Sequence, residues 1–323
     1  MPLIDLGLEG LKQYRGRNPR PADFDAFWDA GLAEMRALPP SLVRTQAAFQ
    51  IQAAKNEDWF FTGVGGAEIY ARAAIPRTEG PHPVVILFHG YTARVADWLT
   101  MASWVAAGFA AVALDCRGQS GLSQDVGGVQ GNTTHGNVTR GLLGPAEHLY
   151  YRQVFLDAAQ LAGLVMAQPE FDASRVFAHG ASQGGGLALA AAALEPRISA
   201  CAAVYPYLCD YQRVWEMDLA KDAYTDLRTF FRTHDPRHER LEEWFTKLGY
   251  IDVQHLASRI KANVQMATGL MDTITPPSSQ FAAYNRLTSP KNVVIYPDFG
   301  HEALPEIGEL TINFFRNQSL SKN

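Results

Sequence analysis

The sequence predicts an α/β fold: one doubly wound, mostly parallel sheet with antiparallel strands on its N-terminal side and a helical insertion. Three observations lead there. Val84–Phe88 and Phe109–Leu114 are unbroken apolar runs with no polar face, the pattern of central parallel strands covered on both sides. Further strand-like runs then alternate with helical stretches to the C-terminus, as a doubly wound sheet requires. Finally, 323 residues, 47% of them hydrophobic, suffice to bury a large core. Length alone permits one domain or two, and the order of motifs favours a single domain over 1–323, with an N-terminal extension at about 1–80 and a helical insertion at about 207–256.

Element by element, Asn18-Pro19-Arg20-Pro21 punctuates the start, and Ala22–Leu38 carries Phe24, Phe27, Trp28, Leu32 and Met35 at helical spacing. Trp59-Phe60-Phe61 and Ile69–Ile75 flank the turn Gly63–Gly66 and read as an antiparallel hairpin at a sheet edge. After the two apolar strands, the runs Arg175–Ala178, Ser199–Val204, Val264–Thr268 and Asn292–Tyr296 read as strands, and Tyr151–Met166 and Gly185–Leu194 as helices. Gly118–Gly144 has no periodicity and is expected to be an ordered loop near a site or an interface. The charged, aromatic stretch Tyr207–Leu256 is expected to form helices laid over the sheet edge.

Bulk properties narrow the function. A net charge of −5 and a pI near 6.0 provide no basic field for nucleic acid. No apolar run is long enough to span a membrane. Cys116, Cys201 and Cys209 lie in or beside apolar stretches and suit buried free thiols. The first 17 residues contain Asp5 and Glu9 and lack a continuous apolar core, so they do not read as a signal peptide, and a cytoplasmic protein is expected. Asn132 and Asn137 begin glycosylation sequons that carry no meaning without secretion.

The chemistry concentrates at Gly180-Ala181-Ser182-Gln183-Gly184, placed after one strand and before a helix-forming run. That context defines a nucleophile elbow: the serine sits on a strained turn, and the following helix points N–H groups at developing negative charge. A serine hydroxyl needs a base, and in this arrangement the chain order is serine, acid, histidine. Of the histidines after Ser182, His234 and His238 flank Pro236 and read as surface residues, and His255 as a solvated or capping one. His301 follows the strand Asn292–Tyr296 and is the expected base. Asp272, at the carboxyl end of Val264–Met271, is the expected acid, ahead of Asp298, which is expected to cap its turn, and Asp252. The oxyanion hole is assigned to the N–H groups of Gln183 and Tyr91, the latter in His89-Gly90-Tyr91. Tyr91 and Ile274 are expected to crowd the acyl group, His89 to shape the loop, and Arg117 to be buried against carbonyls and a carboxylate.

Taken together, these residues resemble carbohydrate esterase family 7, the acetyl xylan esterases and cephalosporin-C deacetylases of the α/β-hydrolase superfamily. The resemblance runs from Met1-Pro2-Leu3-Ile4-Asp5 and Asn18–Trp28 through His89-Gly90-Tyr91 and Arg117-Gly118-Gln119-Ser120 to Gly127-Gly128 and Gly131-Asn132-Thr133. It continues in Gly180–Gly186, Gly269-Leu270-Met271-Asp272 and His301-Glu302. It implies Ser182, Asp272 and His301 as the triad, with Tyr91 and Gln183 as oxyanion donors. It further implies hydrolysis of acetyl esters of sugars such as xylo-oligosaccharides and of small molecules such as cephalosporin C, with no cofactor or metal, and ring-like homo-oligomers, often hexamers. A general short-chain carboxylesterase and a peptidase of the same fold are the enzymatic alternatives. A binding module on the same scaffold is the non-enzymatic one.

Overall fold

A computed structural model describes residues 4–39, 41–126 and 136–320. Gly127-Gly128 and Gly131-Asn132-Thr133, and with them part of the expected 118–144 loop, lie outside the described residues. Strands β1 (Val43–Gln46), β2 (Ala54–Thr62), β3 (Glu68–Pro76), β4 (His82–Phe88), β5 (Ala110–Leu114), β6 (Phe171–Ala181), β7 (Ala200–Val204), β8 (Asn263–Gly269) and β9 (Lys291–Tyr296) form one sheet. Their order is β1-β2-β3-β5-β4-β6-β7-β8-β9. From β5 to β9 every pairing is parallel, whereas β1, β2 and β3 are antiparallel to their neighbours.

The apolar runs explain the order. β5 is buried at every position and β4 at all but Pro83, which suits the middle of a sheet covered on both faces. The terminal strands β1 and β9 keep exposed polar residues, as edges do. One face packs on Phe24–Arg36, Tyr150–Met166 and Gln183–Leu194, and the other on Trp98–Ala106 and Ile307–Leu320. The chain passes from β5 on one side of β4 to β6 on the other. This reversal opens a crevice at the carboxyl ends of β4 and β6, where open α/β sheets bind ligands.

The insertion differs from expectation. It joins β7 to β8, interior neighbours, and comprises the helices Tyr211–Glu216, Thr225–His234, Leu241–Leu248 and Val253–Leu256, the last of which packs on the covering helix Gln183–Leu194, over the middle of the sheet and not over its edge. The reason is apolar area: Tyr207, Tyr211, Tyr224, Phe231 and Phe245 are almost fully buried and join the same apolar cluster as the covering helices Tyr150–Met166 and Gln183–Leu194. Burying each such ring contributes on the order of 1.5–3 kcal/mol. The N-terminal segment is stitched to the insertion by Asp210, whose carboxylate accepts from the backbone N–H groups of Arg17 and Asn18 and from the Tyr14 hydroxyl. His255 is likewise buried there, not solvated, with Nε2 3.1 Å from the Asn18 carbonyl.

Candidate active site

Ser182 occupies the turn between β6 and the helix Gln183–Leu194, with φ 58° and ψ −120°, a conformation that costs an L-residue strain. Its N–H donates to the Val204 carbonyl (2.9 Å), and its own carbonyl accepts from Gly186 and Tyr207. The flanking glycines are required by close approach. A Cβ on Gly184 would lie 2.1 Å from the Phe88 carbonyl oxygen, and one on Gly180 would lie 2.4 Å from the Gly184 carbonyl carbon. Helix and strand can therefore meet tightly enough to lift the hydroxyl out of the turn.

His301, in the loop after β9, stands with Nε2 3.0 Å from Ser182 Oγ and Nδ1 2.8 Å from Asp272 Oδ2. The Asp272 carboxylate is fully buried just beyond β8 and heavily hydrogen-bonded: Oδ1 accepts from Ile274 N–H and Thr275 N–H, and Oδ2 from the Thr275 hydroxyl at 2.8 Å. A carboxylate held this way selects the tautomer with the proton on Nδ1, leaving Nε2 to accept the serine proton. The rival Asp298 is exposed. It is Glu302, not Asp298, that ties the turn, accepting from Gly300 N–H at 2.9 Å. Asp252 lies elsewhere, capping the helix at Val253.

The loop after β4 is fixed by polar contacts. His89 Nδ1 is 2.8 Å from the Gly90 carbonyl, and Nε2 accepts from Cys116 N–H at 3.0 Å, while burial lowers its pKa; it is a neutral strut. The Gln183 side chain is buried, its Oε1 accepting from Tyr151 OH (2.9 Å) and Gln119 Nε2 (2.8 Å). Gln119 Oε1 in turn accepts from Thr92 N–H. The amide pair thus joins the residue after Ser182 to the loop that carries Tyr91. Among the described residues neither the Tyr91 nor the Gln183 N–H has a hydrogen-bond acceptor, so both are free to receive a ligand oxygen. Arg117 is buried in a two-point ion pair with Asp157 and donates to the Val64 carbonyl. His234 and His238 are exposed.

These elements surround a cleft of about 510 Å³. Gly90, Tyr91 and Thr92 contribute from the β4 loop, Ser182, Ile274 and His301 from the sheet ends, and Asp222 and Ala223 from the insertion. The Tyr91 hydroxyl accepts from Asn137 N–H at 2.8 Å and its ring packs on Tyr207. Sequence reasoning missed four contributors. Thr275 and Gln280 both reach Asp272, and the Thr-Ile-Thr run after that aspartate was the available signal for Thr275. Tyr205 places its ring 4.5 Å from that of His301, and Asp222 arrives on a charged stretch without any motif.

Comparison with known proteins finds relatives along the whole chain. The family model described as acetyl xylan esterase (AXE1) matches residues 1–318. The acetyl esterase Axe7A of Xylanibacter ruminicola is 28% identical over 96% of this chain and 69% of its own. Among solved structures, acetyl xylan esterase 1 from Thermoanaerobacterium sp. is 52% identical, with a TM-score of 0.96 over 97% of this chain and 99% of that one. The acetyl xylan esterase from Paenibacillus sp. R4 is 36% identical, with a TM-score of 0.92 over the same shares.

Proposed function

The chain belongs to the acetyl xylan esterase (AXE1) family of α/β-hydrolases, and from that premise we propose that Ser182, His301 and Asp272 hydrolyse acetyl esters of xylo-oligosaccharides and of small molecules through an acyl-enzyme. The observation that carries the assignment is the unbroken relay from Asp272 Oδ2 through His301 to Ser182 Oγ, two contacts of 2.8 and 3.0 Å at the mouth of the cleft. Ser182 Oγ attacks the acetyl carbonyl as its proton passes to His301 Nε2, and Asp272 stabilises the imidazolium. The N–H groups of Tyr91 and Gln183 take the oxyanion. Collapse expels the alcohol, protonated by His301. Water, activated by the same imidazole, then releases acetate and restores Ser182. The side chains of Tyr91 and Ile274 bound the acyl group.

Acetate release from acetylated xylo-oligosaccharides tests the reading: the wild-type protein should release it, and Ser182→Ala, still folded by circular dichroism, should lose activity by about 10⁵-fold or more, as when nucleophiles are deleted from other triads. Turnover near wild-type in that variant would reassign the nucleophile. Cephalosporin C is a further small-molecule candidate, read by the same acetate assay; because its leaving alcohol carries carboxylates, it is expected to react more slowly than the uncharged sugar esters. The protein is further proposed to be one domain, cytoplasmic and oligomeric, hexameric by family resemblance. Light scattering in dilute solution should give a mass several times 35.5 kDa, and a clean monomer would remove that part. Among the described residues no helix is long and apolar enough to cross a membrane.

A further inference from the structure

The insertion contributes a charged group to the cleft, and its placement is built, not incidental. Asp222 opens a single 3-10 turn, Asp222–Tyr224, with φ +49°, the left-handed region that non-glycine residues adopt only under constraint. The constraint is visible. The Tyr207 hydroxyl donates to the Ala223 carbonyl at 2.5 Å, and the Tyr224 hydroxyl accepts from Leu208 N–H at 3.2 Å. The two rings pack 4.4 Å apart and are fully buried. Tyr207 N–H donates to the carbonyl of Ser182 itself at 2.9 Å. The turn is therefore referenced to the nucleophile through one residue.

Asp222 is exposed at the cleft, and among the described residues its carboxylate has no hydrogen-bond or ion-pair partner. Among the described residues no lysine or arginine lines the cleft with it. Lys221 is adjacent but not a lining residue, and the nearby Arg228 is paired with Asp218. Asp272 is sealed beneath His301, so the negative charge presented to an incoming alcohol group comes from Asp222.

We propose that Asp222 sets the selectivity of the site for the charge of the leaving alcohol: hydroxyl-rich and cationic acetyl esters are favoured, and those whose alcohol carries a carboxylate are disfavoured. This rests on the esterase reading above. Hydroxyl groups donate to the carboxylate, a cation is attracted to it, and an anion is repelled by it, most strongly at low ionic strength because the group is exposed.

The test uses acetylcholine, its uncharged isostere 3,3-dimethylbutyl acetate, and 4-acetoxybutanoate, with wild-type protein and Asp222→Asn. Asparagine tolerates the left-handed backbone, so the turn is retained. In the wild type, kcat/KM for the cationic ester should exceed that for its isostere by roughly three- to tenfold at low ionic strength, and the anionic ester should trail the isostere by a similar factor. Both ratios should move toward one in Asp222→Asn and, in the wild type, at high salt. Ratios that persist in Asp222→Asn would overturn the assignment to Asp222. Acetylated xylo-oligosaccharide is the control: a wild type that releases acetate from it but cleaves none of the three esters, or cleaves them without charge preference, overturns this inference alone, whereas no release from any of the four removes the esterase reading as well.

Discussion

The two sides of the cleft are held in different ways. On the sheet side, Ser182, Asp272 and His301 stand at the ends of β6, β8 and β9, fixed by backbone hydrogen bonds and by glycines that admit no Cβ. On the insertion side, Asp222 and Ala223 are fixed by tyrosine rings and hydroxyls. Reacting atoms need placement to within fractions of an ångström, which a sheet end supplies. Groups that sort substrates need a defined wall whose composition can vary without disturbing the relay. On the proposed reading the difference gives chemistry to the sheet side and discrimination of the leaving alcohol to the insertion, and each expectation below strains that division.

The largest effect should fall on the sheet side. Asp272→Asn should lower kcat by about 10⁴-fold, because the amide no longer holds the Nδ1–H tautomer or balances the imidazolium. Asp298→Asn, at an exposed position, should change it by a few-fold at most. Steady-state kinetics on one acetyl ester decides it, and the reverse ranking would move the acid to the other carboxylate.

A smaller effect is expected at the acyl pocket, walled by the loops after β4 and β8. Tyr91 and half-buried Ile274 line the cleft beside Ser182. An acetyl methyl fits beside such groups, whereas added methylenes displace packed atoms at ~1–3 kcal/mol. Acetyl esters should therefore exceed butyryl esters of the same alcohol in kcat/KM by roughly tenfold. Ile274→Ala should narrow that gap, and equal rates in the wild type would mean an open pocket and a general carboxylesterase.

How much could be read from the sequence follows the same division. Ser182 announced itself because a nucleophile elbow needs small residues at fixed offsets, and Asp272 and His301 because each ends or follows an apolar strand run. These are local constraints, and local constraints leave patterns. Asp222 leaves none: its position depends on Tyr207 and Tyr224 packing with each other and on a hydrogen bond to Ser182, contacts between segments distant in sequence. The misplacement of the insertion has the same origin, since helical periodicity reports which face is apolar but not which surface receives it. His255 was misjudged because a polar residue on a helical stretch reads as solvated until the N-terminal segment is known to fold over it.

That buried histidine yields the last expectation, the smallest at neutral pH and one that tests how the insertion is tied down. His255 Nε2 faces the Asn18 carbonyl, its Nδ1 is buried without a hydrogen-bond partner among the described residues, and Phe24 packs against the ring. Burial, aided by Arg286 and Arg20, pushes its pKa down to about 3. Above about pH 6.5 the ring is neutral in both folded and unfolded chains and contributes no pH dependence. Between about 6.5 and 3 the unfolded chain takes up a proton that the folded one refuses, so stability falls as pH falls, by up to about 1.4 kcal/mol per pH unit. Asp226 and Asp252 act in the opposite sense. Burial raises their pKa values to about 6 and about 7, so the folded chain holds protons that the unfolded one releases, and stability rises as pH falls through that range. The wild-type profile alone therefore mixes opposing contributions. The difference between wild type and His255→Gln isolates one, because the aspartates are common to both and glutamine does not titrate. Urea unfolding at pH 7, 6, 5 and 4.5 should show the variant gaining on the wild type by about 2–3 kcal/mol over that range. A pH-independent difference would mean that the histidine is protonated, or reached by water, in the folded protein, and that the N-terminal segment does not seal the insertion as tightly as its contacts indicate.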